Sequence, residues 1–378
     1  MEKHFELTDE TIEVAGNTLH RIRCTRDCKW AKTGDLGGFI EKEDNLSGDA
    51  WVAGNAWVYD NAQVSGNAWV ADNAQVFGTA RVSDNAWVSG NAWVFGTARV
   101  FGNAWVYDNA QVSGNAWVAD NAQVFGTAWV FGTARVSDNA WVFGTARVSG
   151  NAWVFGTARV SGNAWVYDTA QVFGDAQVLG TAWVFGTARV SGNAWVFGTA
   201  RVFGNAWVYD NTQVFGDAWV FGTARVSGNA WVYDTARMAD NAQVLGTARV
   251  SDNARVSGNA WVSDNAWVFG NAWVAGNAQV CGDAWVFGDA QVCGDAQVCG
   301  DARIDCIKAH CGFDVFGSCG RHTHAYITAE NKIEITCGCF RGSIEEFEAK
   351  VRKTHGDNQY AHEYLAIIYL IKIKFGLV

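Results

Sequence analysis

The stretch Thr97-Ala-Arg-Val-Phe-Gly-Asn-Ala-Trp-Val-Tyr-Asp108 decides the fold. It is one six-residue unit written twice. The unit runs from Asp49 to Cys306, 258 residues in 43 hexads, with no insertion or deletion. Position two is Ala in 42 hexads, with Thr212 the exception, and position four is Val in 41, with Met238 and Ile304 the exceptions. Ala and Val stand two apart, so they point to one side of an extended strand. Positions three and five point to the other side. Position three is Trp in 20 hexads, Arg in 12 and Gln in 11, while position five supplies 15 Phe and 5 Tyr. Position six is Gly or Asp except at Cys306, and Asn, Thr or Asp follows at position one. Gly, Asn and Asp tolerate the left-handed backbone of a tight corner. Each hexad is therefore one short strand and one corner. Gly or Asp every six residues and a period of two both oppose a helix.

Strands this short cannot bury a core alone, but stacked coils can share one. The chain is accordingly read as an all-β solenoid. The pattern is similar to the hexapeptide repeat of left-handed parallel β-helices. That resemblance covers Asp49–Cys306 and implies a triangular coil of three hexads, about 14 coils in all. A two-sided coil of two hexads stays open, because Trp105, Trp117, Trp129, Trp141, Trp153 and Trp165 recur at every second hexad. The three-hexad coil is preferred, since two hexads of Val and Ala enclose very little.

Both ends of a solenoid expose strand edges that need covering. Residues 1–48 read as a β cap: Thr11–Ala15 and Thr18–Cys24 flank Gly16-Asn17, a hairpin signal. Residues 307–378 read as an α+β cap. Ala325–Thr328 and Lys332–Thr336 form a hairpin, Ser343 with Glu346 is a capping box, and a second helix spans about Gln359–Phe375. Tyr364–Ile371 is apolar on all sides, which calls for burial against the solenoid and against a second copy. Homo-oligomers through these C-terminal helices are therefore expected.

The segments Gly34–Ser47, Cys337-Gly-Cys-Phe-Arg-Gly-Ser-Ile-Glu-Glu-Phe-Glu348, Thr354-His-Gly-Asp-Asn358 and Glu363-Tyr364 carry a second resemblance. They resemble those of bacterial prophage and gut-phage hexapeptide-repeat proteins and, more loosely, of the YdcK-like group. That family implies no established activity. The chain departs from it in Ser318-Cys-Gly-Arg-His-Thr-His324.

The formal net charge is −10, and no Lys lies between Lys42 and Lys308, which argues against nucleic acid. No segment is apolar enough to span a membrane, and Met1–Glu10 does not read as a secretory signal. The expected location is the cytoplasm, with virion association if the chain is phage-borne, and the ten Cys are expected to be reduced.

Hexapeptide β-helices often transfer acyl groups from acetyl-CoA, using a His base beside an inserted loop. No His occurs from Arg21 to Ala309, so a base would have to be His310, His322, His324, His355 or His362 at the C-terminal end. No catalytic residue and no cofactor is assigned, and a scaffold is favoured over an enzyme. Cys319, His322, His324, Cys337 and Cys339 are weak metal candidates, without a recognised ligand spacing. Cys281 and Cys299 would stack as thiols one three-hexad coil apart. The strongest functional signal is the outward aromatics. On three-hexad coils Trp51, Trp69, Trp87, Trp105, Trp141, Trp195, Trp231, Trp267 and Trp285 share a face. Such a face suits a protein or glycan partner, and equally suits self-packing by ring stacking.

Overall fold

The computed structural model describes residues 3–378. Its contacts divide the chain into two units, one ending at Thr199 and one running Ala200–Val378. Each contains a stretch of parallel β-solenoid.

In the first unit two-residue strands recur once per hexad, and each pairs in parallel with the strand three hexads on. Trp51 pairs with Trp69, Trp57 with Gln75 and Gln63 with Arg81. The second unit repeats the scheme with Arg201 beside Trp219, Trp207 beside Arg225 and Gln213 beside Trp231. The coil therefore has three strands from three hexads, and the two-hexad alternative falls. Coil-to-coil amides hold the ladders, as in Trp69 N–H to Ala86 C=O at 2.9 Å and Ala71 N–H to Val88 C=O at 2.9 Å.

The Val and Ala of positions four and two fill the interior and are buried. Thr212, the one departure at position two, is also buried, and its hydroxyl donates to Tyr209 C=O at 3.0 Å. That bond removes the desolvation cost of a hydroxyl among methyl groups.

The corners explain the choice at position six. Gly126 has φ 71° and Asp108 φ 58°, both left-handed. The Asp side chain adds a bond that Gly cannot make. Its Oδ2 accepts the N–H of the position-six residue one coil on, as in Gly126 N–H to Asp108 at 3.1 Å and Gly90 N–H to Asp72 at 2.9 Å. Where Asp follows Asp the contact lengthens, to 3.4 Å from Asp138 N–H to Asp120. At position one, Asn side chains bond in series, Asn85 to Asn103 at 3.2 Å and Asn103 to Asn121 at 3.0 Å.

The N-terminal hairpin joins Phe5–Val14 to Asn17–Cys24. Its turn lies one residue earlier than the sequence suggests, on Ala15 (φ 49°) and Gly16 (φ 87°), so an Ala occupies a left-handed position. Asn17–Cys24 pairs with Leu36–Ile40, and Phe39 and Ile40 pair in parallel with Trp57 and Val58. Leu46 likewise bridges Val64. The coil spacing thus begins one coil before the hexads do.

In the second unit a four-stranded antiparallel sheet, His310–Phe316, Arg321–Ile327, Ile333–Cys337 and Phe340–Ser343, follows the last coil. The predicted hairpin is its centre; the sequence reading passed over the two outer strands, although Cys311, Phe313 and Val315 alternate with Gly312 and Asp314. One face of the sheet covers the end of the solenoid. His324 Nδ1 and Thr336 Oγ1 both meet Gln297 C=O at 3.1 Å, and Tyr326 O–H donates to Cys299 C=O at 3.2 Å. The other face carries Ala325 and Ile335 against α1 (Ile344–His355) and α2 (Gln359–Lys374). Ser343 and Glu346 form the predicted capping box of α1.

Candidate functional site

The outward surface has two columns on each face, set by the strand period: position three and position five. Position five builds the true ring ladders. Tyr107, Phe125 and Phe143 stack at 4.9 and 5.0 Å with planes within 5°, and Tyr59, Phe77 and Phe95 do the same at 5.0 Å. The ladder spacing is the coil repeat itself.

Position three is mostly mixed. Arg135 lies between Trp117 and Trp153, at 4.7 and 5.0 Å from the rings, and Arg147 between Trp129 and Trp165, at 5.1 and 4.9 Å. Trp–Trp stacking is confined to short runs such as Trp87 on Trp105 at 5.1 Å. Cation–π contacts of this kind contribute roughly 0.5–1 kcal/mol each where exposed.

The nine predicted tryptophans are on common faces within each unit: Trp51, Trp69, Trp87, Trp105, Trp141 and Trp195 in the first, Trp231, Trp267 and Trp285 in the second. They are not one continuous ladder. Gln123, Arg159 and Gln177 interrupt the first set, and Arg249 the second. Trp51 is 2% exposed beneath His4, whose Nε2 meets Ala50 C=O at 2.9 Å. Trp69 and Trp87 are covered in part by Trp30, at 5.1 and 5.6 Å. Trp105, Trp195 and Trp285 stay more than a third exposed.

Sequence reasoning passed over Trp93, Trp129, Trp153, Trp207, Trp261 and Trp273, which are equally exposed. A signal for most of them lies at position five of the preceding coil. Phe101 covers the edge of Trp117 at 5.9 Å and Phe125 that of Trp141 at 6.0 Å. Trp105, Trp129 and Trp153 follow Ser89, Ser113 and Ser137 and are left open. Trp93 and Trp285 are exposed after Phe, Trp195 and Trp261 after Leu, and Trp165 and Trp267 are partly buried after Ser, so each departs from this rule.

The C-terminal candidates separate. Register places His322 and His324 on the solenoid side of the sheet and Cys337 on the helix side. Cys319, Cys337 and Cys339 line a cleft of about 590 Å³ with Arg321, Lys350 and His355, and no carboxylate is among its lining residues. The five metal candidates therefore do not converge. Among the described residues no group of three or more His, Cys, Asp or Glu is placed to hold a metal ion. Instead His310, His322 and His324 form a histidine cluster in which His324 is buried and the other two are half-buried. His324 Nδ1–H donates to Gln297 C=O, so its Nε2 accepts from His310 Nδ1–H at 2.9 Å. Burial first, and the neighbouring His310 second, push His324 down to about 3, which keeps it neutral. His322 Nδ1 meets Asp314 at 2.5 Å, and Nε2 of His310 and of His322 is buried without a partner.

Cys281 and Cys299 do stack as free thiols, with Cys281 N–H bonded to Val298 C=O at 2.9 Å. The hydrogen bond between their sulfurs lowers Cys281 and raises Cys299, whose burial adds to the rise.

No curated protein matches the chain. Residues 80–96, 248–264 and 278–294 match the family model of the YdcK beta solenoid repeat, so at three places the chain carries YdcK-type β-solenoid repeats.

Proposed function

We propose that this chain is a non-enzymatic scaffold of phage or prophage type that binds an extended partner, a glycan or a protein surface, through its aromatic faces. The observation that carries the reading is a pair of half-exposed rings held on one face. On one face of the first unit Trp93 and Trp129 stay 39% and 41% exposed, two coils apart with Gln111 between them. Rings held two coils apart by the fold offer apolar contact at low entropic cost, since their rotamers are already fixed. The test is tryptophan emission of the full chain titrated with polysaccharides. A saturable shift, lost in Trp93→Gln/Trp129→Gln at unchanged melting temperature, supports the reading. Binding that survives both changes overturns it.

Assembly is the second part of the reading. α2 leaves Tyr369, Leu370 and Ile373 about half exposed, an apolar strip suited to a second copy.

One observation favours acyl transfer as the alternative. The cleft lined by Arg321, Lys350 and His355 without a carboxylate suits an anionic ligand such as the phosphates of acetyl-CoA. Saturable acetyl-CoA binding lost in Arg321→Ala/Lys350→Ala would carry that alternative; absence of binding removes it.

A further inference from the structure

In the first unit one face carries Phe101, Ala119, Ser137, Phe155, Phe173 and Ser191 at position five of successive coils. Its ring ladder thus breaks for two coils, between Phe101 and Phe155. The gap is a notch of about 210 Å³ walled by those rings with Trp117, Arg135 and Trp153. Its floor is Ala119 and Ser137. Phe155 and Phe173 resume the ladder at 5.0 Å with planes within 4°.

At three other places the chain sets a ring on such residues. Trp30 comes from outside the repeat and seats on Trp69 and Trp87, on the coils whose fifth positions are Ala71 and Ser89. Its Nε1–H donates to Asn67 C=O at 2.9 Å. In the second unit Trp267 and Trp273 fold back onto Ser251 and Ser257, at 3.2 and 3.1 Å. Small residues at position five can therefore receive a ring in this molecule. The Ala119–Ser137 slot is two coils long and, among the described residues of the first unit, no ring seats on its floor.

We infer that this slot is filled by Phe155 and Phe173 of a second copy, in an antiparallel, two-fold, face-to-face dimer. A two-fold axis in the interface, perpendicular to the stacking direction, reverses coil order and keeps each column opposite itself. With Ala119 set opposite Phe173, every other pair follows. Ser137 meets Phe155, and Phe101 meets Ser191. Each of the six coils then sets a ring against a small side chain, in both directions. Only rings spaced at the coil repeat fit both places of the slot, and consecutive coils of this fold supply that spacing. In the position-three column the same arrangement sets Arg135 over Trp153 and Trp117 beside Gln171. It also brings Arg99 opposite Arg189 at the two outer pairs, a like-charge cost that salt screens.

The patch is roughly 30 by 15 Å per copy from six coils and the strand rise, below the size of stable interfaces and in the range of weak, transient ones. Pairing is accordingly reversible and concentration-dependent, and tightens with salt.

Sedimentation equilibrium of the full chain across the micromolar range tests it. The mass rises from 41.0 kDa towards twice that value. Ala119→Phe fills the slot from within, extends the ladder and weakens association at least tenfold, with unchanged circular dichroism. Ala119→Phe/Phe173→Ala exchanges ring and gap across the same pair and restores association. A mass fixed at 41.0 kDa, association indifferent to Ala119→Phe, or a double variant that fails to restore it overturns the inference. None of these results depends on polysaccharide binding by the aromatic faces.

Discussion

At the scale of the residue, the corners and the buried His324 set the strongest constraints. A Cβ on Gly126 would lie 2.9 Å from Gly144 C=O, and its backbone is left-handed. Gly126→Ala is therefore expected to destabilise by at least the strain of about 1–2 kcal/mol for a left-handed L-residue, read as a fall in the urea midpoint. His324 sets a pH dependence. Its folded value near 3 lies below the ordinary 6.5, so the unfolded chain binds the proton first as pH falls. The stability held above pH 6.5 is then lost progressively down towards pH 3, by at most about 1.4 kcal/mol per pH unit. His310 is lowered by burial and acts in the same direction. The midpoint should fall more between pH 7 and pH 5 for the wild-type chain than for His324→Gln. An equal fall in both would remove His324 as the cause. The residue pattern shows these histidines as a group near the C-terminal end. It does not show that alternate residues of Arg321–Ile327 face opposite sides, which separates His322 and His324 from Cys337.

At the scale of the element, single strands mean little and ladders mean much. A two-residue strand such as Trp129–Val130 is held only by its neighbours three hexads away. The helices are the reverse, being locally encoded. Ser343 Oγ accepts Glu346 N–H at 3.2 Å, and Glu346 returns the bond to Ser343 N–H at 2.9 Å. Ser343→Ala should cost about 1 kcal/mol through this cap, seen as a lower melting temperature of the C-terminal region. The apolar strip on α2 makes a separate prediction. If it assembles the chain, Tyr369→Glu/Leu370→Glu abolishes that assembly and leaves the association lost in Ala119→Phe untouched. Light scattering of the two variants separates the interfaces.

At the scale of the whole molecule, unpaired strand edges govern solubility. The carbonyls of Gln297 and Cys299 are met by His324, Thr336 and Tyr326, and Ala302 bridges Thr328. A chain ending at Arg303 loses all of these partners and presents a bare parallel edge. It should form large aggregates by light scattering at concentrations where the full chain does not. A monodisperse truncated chain would mean that the last coil protects itself.

The sequence by itself determined the solenoid. A period of two within each hexad, Gly or Asp at every corner and 43 hexads in constant phase allow no other regular packing of Ala and Val. It also determined the capping box of α1 and the N-terminal hairpin, because those signals lie within a few residues of each other. The tertiary structure alone decided the three-hexad coil over the two-hexad one. It alone decided that Trp51 is buried under His4 and that Arg rather than Trp stands between Trp129 and Trp165. The physical reason is that neighbours on a face are three hexads apart in the chain. Hexads that are nearly identical as strands become different sites only when stacking sets one side chain above another.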